Sequence, residues 1–190
     1  MSARLPAGIA RRAKGRPELA EPPGGKQASL ASGGSLSIVP EIAEQAMPDD
    51  ERVWVPQAPD VSFRPLLLNT VSGGWCNLLR VRRAGVLSRH RHPMVVTGYV
   101  IRGRWRYLEH DWVAETGSFV YEPPGEIHTL VVPDDCAEMI TFFNIQGAMI
   151  YVDEHGATVG YEDVWTKIAM CRAHYAKVGL GDAYVDRYVR

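Results

Sequence analysis

Between Trp54 and Val152 the chain is a succession of short apolar runs, each broken by glycine, proline or a few polar residues. The runs are Trp54–Gln57, Val61–Leu66, Leu66–Thr70, Trp75–Arg82, Val95–Ile101, Trp105–Leu108, Ser118–Tyr121, His128–Val132, Met139–Ile145 and Gly147–Val152. No helical segment separates them. That excludes an alternation of strands and helices and predicts an all-β sandwich or barrel. Pro56 and Pro65 each remove a ladder donor, so the first two runs are expected at sheet edges. The period changes after Tyr161. Val164, Ile168, Cys171 and Tyr175 recur at three- or four-residue spacing, which predicts an amphipathic helix over Tyr161–Lys177 with Gly179 near its stop. Tyr184, Val185, Tyr188 and Val189 are apolar enough to cover something. Residues 1–35 lack such a pattern and are rich in Gly, Pro, Ser, Ala and charge, which predicts a disordered tail. Three parts follow: the tail at 1–35, a β domain with N-terminal edge strands at 36–158, and a helical extension at 159–190.

Composition narrows the classes. The 190 residues suit one domain with tails, and 46% are apolar, enough for a core. With 21 basic and 22 acidic residues the net charge is −1, so no global field favours nucleic acid. Arg4, Arg11, Arg12, Lys14 and Arg16 cluster near the start, but no apolar stretch follows as in a secretory signal. They read as a solvated tail. No apolar run reaches transmembrane length. Cys76, Cys136 and Cys171 are odd in number and widely spaced, which indicates neither a disulfide framework nor a zinc knuckle. A cytoplasmic protein without nucleic-acid or membrane partners is expected.

The candidate chemistry lies between Gly85 and Thr129. His90 and His92 are two apart, a spacing that puts both imidazoles on one face of a strand. His128 follows the turn Pro123-Pro124-Gly125 and opens another apolar run. Three neutral imidazoles converging on one point suit Fe, Ni, Cu or Zn. Arg80 could receive an anionic or enolate oxygen if its face is the inner one. Trp105, Tyr107, Phe119, Tyr121, Phe142 and Phe143 crowd strands that must line or back the barrel. Trp105, Tyr107, Tyr121 and Phe142 are the candidates for a substrate pocket. Glu122 and Thr97 are further candidates for the pocket or for support of the metal site. His155 and His174 read as surface residues.

These residues resemble a known family. Gly85 followed by His90-x-His92 resembles the first half of the first cupin motif, and Gly117 followed by Pro123-x-Gly125-x-x-His128 resembles most of the second. The resemblance spans roughly Leu66–Tyr151. It implies a double-stranded β-helix, or jelly-roll barrel, with the helix appended. The runs Gly103–Glu109 and Tyr121–Gly125 are similar to the dihydroxyacetophenone dioxygenase group of single-domain cupins. That similarity implies a non-haem iron dioxygenase that cleaves a carbon–carbon bond in a small aryl ketone or 1,3-dicarbonyl chelated to the metal. Fe(II) is the implied cofactor, with Zn, Ni, Mn or Cu as alternatives. O2 and a small molecule are the implied partners, within a homodimer or homotetramer. A metal-dependent isomerase or lyase, or a metal- or ligand-sensing cupin without turnover, are the other readings.

Two departures stand out. The glutamate that usually follows the second histidine by four or five residues is replaced by Val96 and Thr97, and Val132 stands where an asparagine often closes the second motif. A buried divalent ion with three neutral ligands needs compensating charge. Glu109, two and four residues beyond Tyr107 and Trp105, is the expected carboxylate near the metal and, with Arg80 and Thr97, an expected catalytic group. His110 is the alternative if the strand register shifts by one.

Overall fold

The computed structural model describes residues 39–190. The expected tail and the first half of a short extended piece expected at residues 37–40 lie outside these residues. The strands are β1 (Val55–Ala58), β2 (Val61–Leu68), β3 (Trp75–Val81), β4 (Gly85–Arg91), β5 (Val96–Arg102), β6 (Arg104–Tyr107), β7 (Ala114–Glu115), β8 (Phe119–Glu122), β9 (Ile127–Val132), β10 (Met139–Ile145), β11 (Met149–Val152) and β12 (Thr158–Glu162). They form two six-stranded sheets, ordered β1-β2-β3-β10-β5-β8 and β12-β11-β4-β9-β6-β7, and all their pairings are antiparallel. This is the jelly-roll sandwich that the spacing of apolar runs predicts.

Three local expectations need correction. Val61–Leu66 and Leu66–Thr70 are not separate pieces but the single strand β2, and it is internal to its sheet. Pro65 is tolerated there because the β2–β3 register shifts between Pro65 and Leu67, a bulge at which the missing N–H breaks no regular ladder. Thr158–Glu162 is a strand rather than the start of the helical extension, so the sheet runs past residue 158. The helix α1 accordingly begins at Val164. Asp163 caps it: its side chain accepts from the Thr166 N–H, and the Thr166 hydroxyl receives the Asp163 N–H in return. The four residues whose spacing predicted α1 are all buried, and Lys167 joins them on the same face.

The interior of the sandwich is apolar, built from residues such as Phe63, Trp75, Val100, Trp105, Tyr107 and Met139. A smaller apolar cluster covers the outer face of the first sheet, where Trp54, Leu78 and Ile140 pack with Phe142. Polar bonds join the two sheets. On one side Gln57 of β1 donates to Glu162 of β12 at 3.1 Å, and the Lys167 ammonium lies 2.6 Å from the same carboxylate. On the other side the Tyr107 hydroxyl of β6 donates to Glu122 of β8 at 2.8 Å. Between them the Trp105 indole N–H reaches Thr141 at 3.0 Å. The jelly roll is thus held shut by polar pairs as well as by its core. Among the described residues no helix is long and apolar enough to cross a membrane.

Candidate metal centre

His90 lies near the end of β4, and His92 follows one residue past it. In the ladder His90 is paired with His128 of β9 on one side and with Tyr151 of β11 on the other. Ligand atoms of His90, His92 and His128 all lie within 4.8 Å of one another. The three rings are almost fully buried, with 4%, 3% and 1% of their residues' surface exposed. Gly125 makes the arrangement possible. It takes a left-handed φ of 88°, which glycine adopts without strain, and its N–H holds the His92 carbonyl at 2.7 Å. The Pro-Pro-Gly turn therefore clamps the end of the first histidine pair while it delivers His128.

Glu122 supplies the carboxylate. It is the last residue of β8, 3% exposed, and its Oε2 lies 3.5 Å from Nε2 of both His92 and His128. The Tyr107 hydroxyl fixes the other oxygen, and the Tyr107 ring stacks on His128 with centroids 3.9 Å apart and planes 1° from parallel. Ser88 Oγ lies 3.1 Å from His90 Nδ1 and orients that ring. Burial governs the ionisation of these groups. It pushes the Glu122 carboxyl up to about 7 against the Tyr107 hydrogen bond. It pulls His92 down to about 4 and, with the neighbouring His92, takes His128 down to about 3. His90 falls well below its ordinary value through burial and through its two histidine neighbours. The imidazoles are thus held neutral, the form that ligates.

The donor set fits a divalent metal. Nδ1 and Nε2 of His128, Nδ1 of His92 and Oε2 of Glu122 are buried without a hydrogen-bond partner. Unsatisfied buried polar atoms are costly, and several at one point indicate a bound group. Three imidazoles and a carboxylate suit iron, and also zinc, nickel or copper.

The structure does not bring Glu109 to this centre. β6 ends at Tyr107 and the chain turns, so the alternation that would have aimed Glu109 inward stops two residues too early. Its carboxylate instead receives the Thr129 N–H at 2.7 Å, the Thr129 hydroxyl at 2.8 Å and Arg89 at 2.9 Å. Thr129 follows His128, so these bonds lie on the opposite face of β9. Burial pushes the Glu109 carboxyl up, but those bonds prevail and hold it below the ordinary value. His110 is not at the centre either, since its Nε2 lies 2.9 Å from Glu126.

Other candidates also fall elsewhere. Arg80 faces the outside of the first sheet, where its guanidinium bonds Glu51 at 2.9 and 2.7 Å and lies 4.0 Å over Trp54. Thr97 is paired with Tyr121 and alternates with Val96, so it faces away from the interior. Tyr121 is exposed and Phe142 belongs to the outer cluster. Trp105 is fully buried behind Tyr107 as a core residue. His155 is exposed, and His174 lies 2.9 Å from the Arg52 carbonyl. Of the four pocket candidates only Tyr107 lines the cavity beside the histidines.

That cavity has a volume of about 530 Å³. His90, His92, Glu122 and Tyr107 form part of its wall, Leu79, Leu87, Leu130, Phe143 and Ile145 make the apolar part, and Gln57, Tyr151, Glu162 and Lys167 form a second polar wall. Gly98 matters here, because a Cβ at that position would lie 3.0 Å from the Phe143 ring that lines the cavity. Glu122, read from the sequence only as a candidate for the pocket or for support of the metal site, is the carboxylate that β8 turns inward. Phe119 and Tyr121 point outward while Val120 and Glu122 point in, the reverse of what hydrophobicity alone selects.

Comparison with known proteins agrees with the geometry. The sequence model described as the ChrR cupin-like domain matches residues 43–150. Comparison with curated proteins gives no match. A solved RmlC-like cupin from Ralstonia eutropha is 33% identical, superimposes with a TM-score of 0.60, and the match covers 66% of this chain and 82% of that one. An acetylacetone dioxygenase from Acinetobacter johnsonii shares the fold at 14% identity and a TM-score of 0.60, over 72% of this chain and 97% of that one. The fold, the two histidine-bearing motifs and the match over more than half of its length place the chain in the ChrR cupin-like family of the cupin superfamily.

Proposed function

We propose that the protein is a metal-dependent dioxygenase, with Fe(II) as its metal, that cleaves a carbon–carbon bond in a small 1,3-dicarbonyl or aryl ketone. One observation carries this reading. Three buried neutral imidazoles and one carboxylate converge with unpartnered atoms, and His90, His92 and Glu122 among them line a cavity sized for a small molecule. A redox-active divalent metal bound there would chelate the two substrate oxygens, acidify the carbon between them and supply electrons to O2. The chain's own residues do the rest. The histidines bind without adding charge. Glu122 offsets part of the metal's charge through Oε2, the oxygen that faces His92 and His128. Tyr107 holds Oε1 so that Oε2 keeps its aim. Leu79, Leu130, Phe143 and Ile145 exclude water from the reacting atoms. The acetylacetone dioxygenase among the proteins of the same fold is consistent with this chemistry.

Oxygen uptake by anaerobically Fe(II)-loaded protein tests the reading, with a panel of 1,3-diketones and α-hydroxy aryl ketones. Stoichiometric uptake and two carboxylate or aldehyde fragments per substrate are expected. Tight binding of Zn(II) with no uptake on any substrate would favour the second reading, a metal-sensing cupin without turnover.

A further inference from the structure

The cavity wall holds three side-chain cations: Arg83, Arg89 and Lys167. Two are committed. Arg89 pairs with Glu109 at 2.9 Å, and Lys167 lies 2.6 Å from Glu162 and 3.2 Å from the Gln57 carbonyl oxygen. Arg83 is different. No carboxylate among the described residues lies within 4.0 Å of its guanidinium, although the adjacent Arg82 has Glu138 at 2.9 Å. Its Nε, like that of Arg89, is buried and has no hydrogen-bond partner, so what distinguishes Arg83 is the missing carboxylate. Arg83 is half-buried, and its inner N–H, shielded from water without a partner, bears a desolvation cost that a nearby anion offsets. Its planar fork matches a carboxylate. Among the described residues no second unpaired cation lines the cavity, so a monoanionic carboxylate fits better than a phosphate.

The position of Arg83 gives the ligand a shape. It lies in the turn between β3 and β4, strands that face each other from opposite sheets. Moving inward from that turn, the walls present Leu79 and Leu87, then Asn77 and His90. At about 3.3 Å per strand residue, the backbone of Arg83 stands on the order of 20 Å from that of His90. An apolar stretch thus separates the cation from the metal ligands.

We infer that the substrate is elongated, with chelating oxygens at the histidines, an apolar middle and a carboxylate at the far end that Arg83 receives. The chelating half rests on the dioxygenase reading above, whereas the carboxylate half does not. Calorimetry on full-length protein without added metal tests the arginine by itself, with hexanoate and hexanamide as probes. Hexanoate should bind at least about tenfold more tightly, as expected for a charge-assisted bidentate pair. Arg83→Ala should remove that preference and leave hexanamide binding unchanged, which also shows that the variant folds. Equal affinities in the wild type, or a preference that survives in Arg83→Ala, would overturn the inference. Fe(II)-loaded protein under anaerobic conditions is then given 10,12-dioxotridecanoate, a 1,3-diketone joined by a long methylene chain to a carboxylate, and its methyl ester. Tighter binding of the acid by the wild type but not by Arg83→Ala supports the two-ended substrate. If hexanoate discriminates but the loaded protein ignores both diketones, the arginine site stands and the 1,3-dicarbonyl form of the dioxygenase reading fails.

Discussion

Glu122 stands opposite Val96 in the β5–β8 register, and its Oε2 lies 3.5 Å from Nε2 of both His92 and His128. Val96 occupies the place where the first cupin motif usually has its glutamate. The carboxylate has therefore moved one strand sideways, about 4.8 Å across the ladder, and still faces the same histidines. Replacing it with glutamine keeps the shape and removes the charge. Glu122→Gln should weaken metal affinity by about 10- to 100-fold in a competition titration with a chelator. Adding Val96→Glu to that variant should recover part of the loss, because it restores the charge from the opposite strand. Glu109→Gln should bind metal as the wild type does.

Each of the three histidines is indispensable to the centre. His90→Ala, His92→Ala and His128→Ala should each retain less than about a tenth of the wild-type metal after dialysis, measured by elemental analysis. His110→Ala, His155→Ala and His174→Ala should retain it in full, since none of those rings belongs to the converging set of His90, His92 and His128.

Tyr107 works through Glu122. Tyr107→Phe keeps the stack on His128 and removes one hydroxyl. It leaves Glu122 Oε1 buried without its donor, so the metal-free protein should lose about 1–3 kcal/mol in urea unfolding. The same variant should bind metal less tightly by a smaller factor than Glu122→Gln, because the negative charge remains.

Acid should unfold the metal-free protein through the same residues. The histidines have folded values below the ordinary 6.5, at about 4 for His92 and about 3 for His128. The unfolded chain takes up their protons first, so stability falls as pH drops below about 6.5. Each histidine contributes a slope of up to about 1.4 kcal/mol per pH unit. Glu122 acts in the opposite sense. With its folded value raised to about 7 from 4.5, it binds its proton first in the native state, so its contribution improves as pH falls from about 7 to 4.5. Three histidines outweigh one glutamate, and the net change is a loss on acidification. Urea midpoints between pH 4 and pH 7 should show a steeper loss for Glu122→Gln than for the wild type. A slope that Glu122→Gln leaves unchanged would remove Glu122 from this balance.

The sandwich, the helix face and the histidine pair were legible because each follows a period. Alternation puts His90 and His92 on one side, and Val164, Ile168, Cys171 and Tyr175 share one stripe of α1. The carboxylate was not legible by the same rule. Extending alternation past Tyr107 chose Glu109, but a strand's period holds only as far as its ladder, and that ladder ends at Tyr107. In β8 the two most apolar residues, Phe119 and Tyr121, are the ones that face out. Phe142 and Phe143 are adjacent, and only pairing with Gly98 decides that Phe143 takes the inner side. Arg80 read as inward or outward until Glu51 and Trp54 were seen to cover it. Register and neighbours fix these faces, and neither is written in a single strand.

X-ray absorption of the Fe(II)-loaded protein, prepared without oxygen, tests the central claim most directly. One iron per chain with scattering from three imidazoles is predicted, falling to two with His128→Ala in whatever iron that variant retains. Fewer than three imidazoles in the wild type, or a spectrum that His128→Ala does not alter, would contradict it.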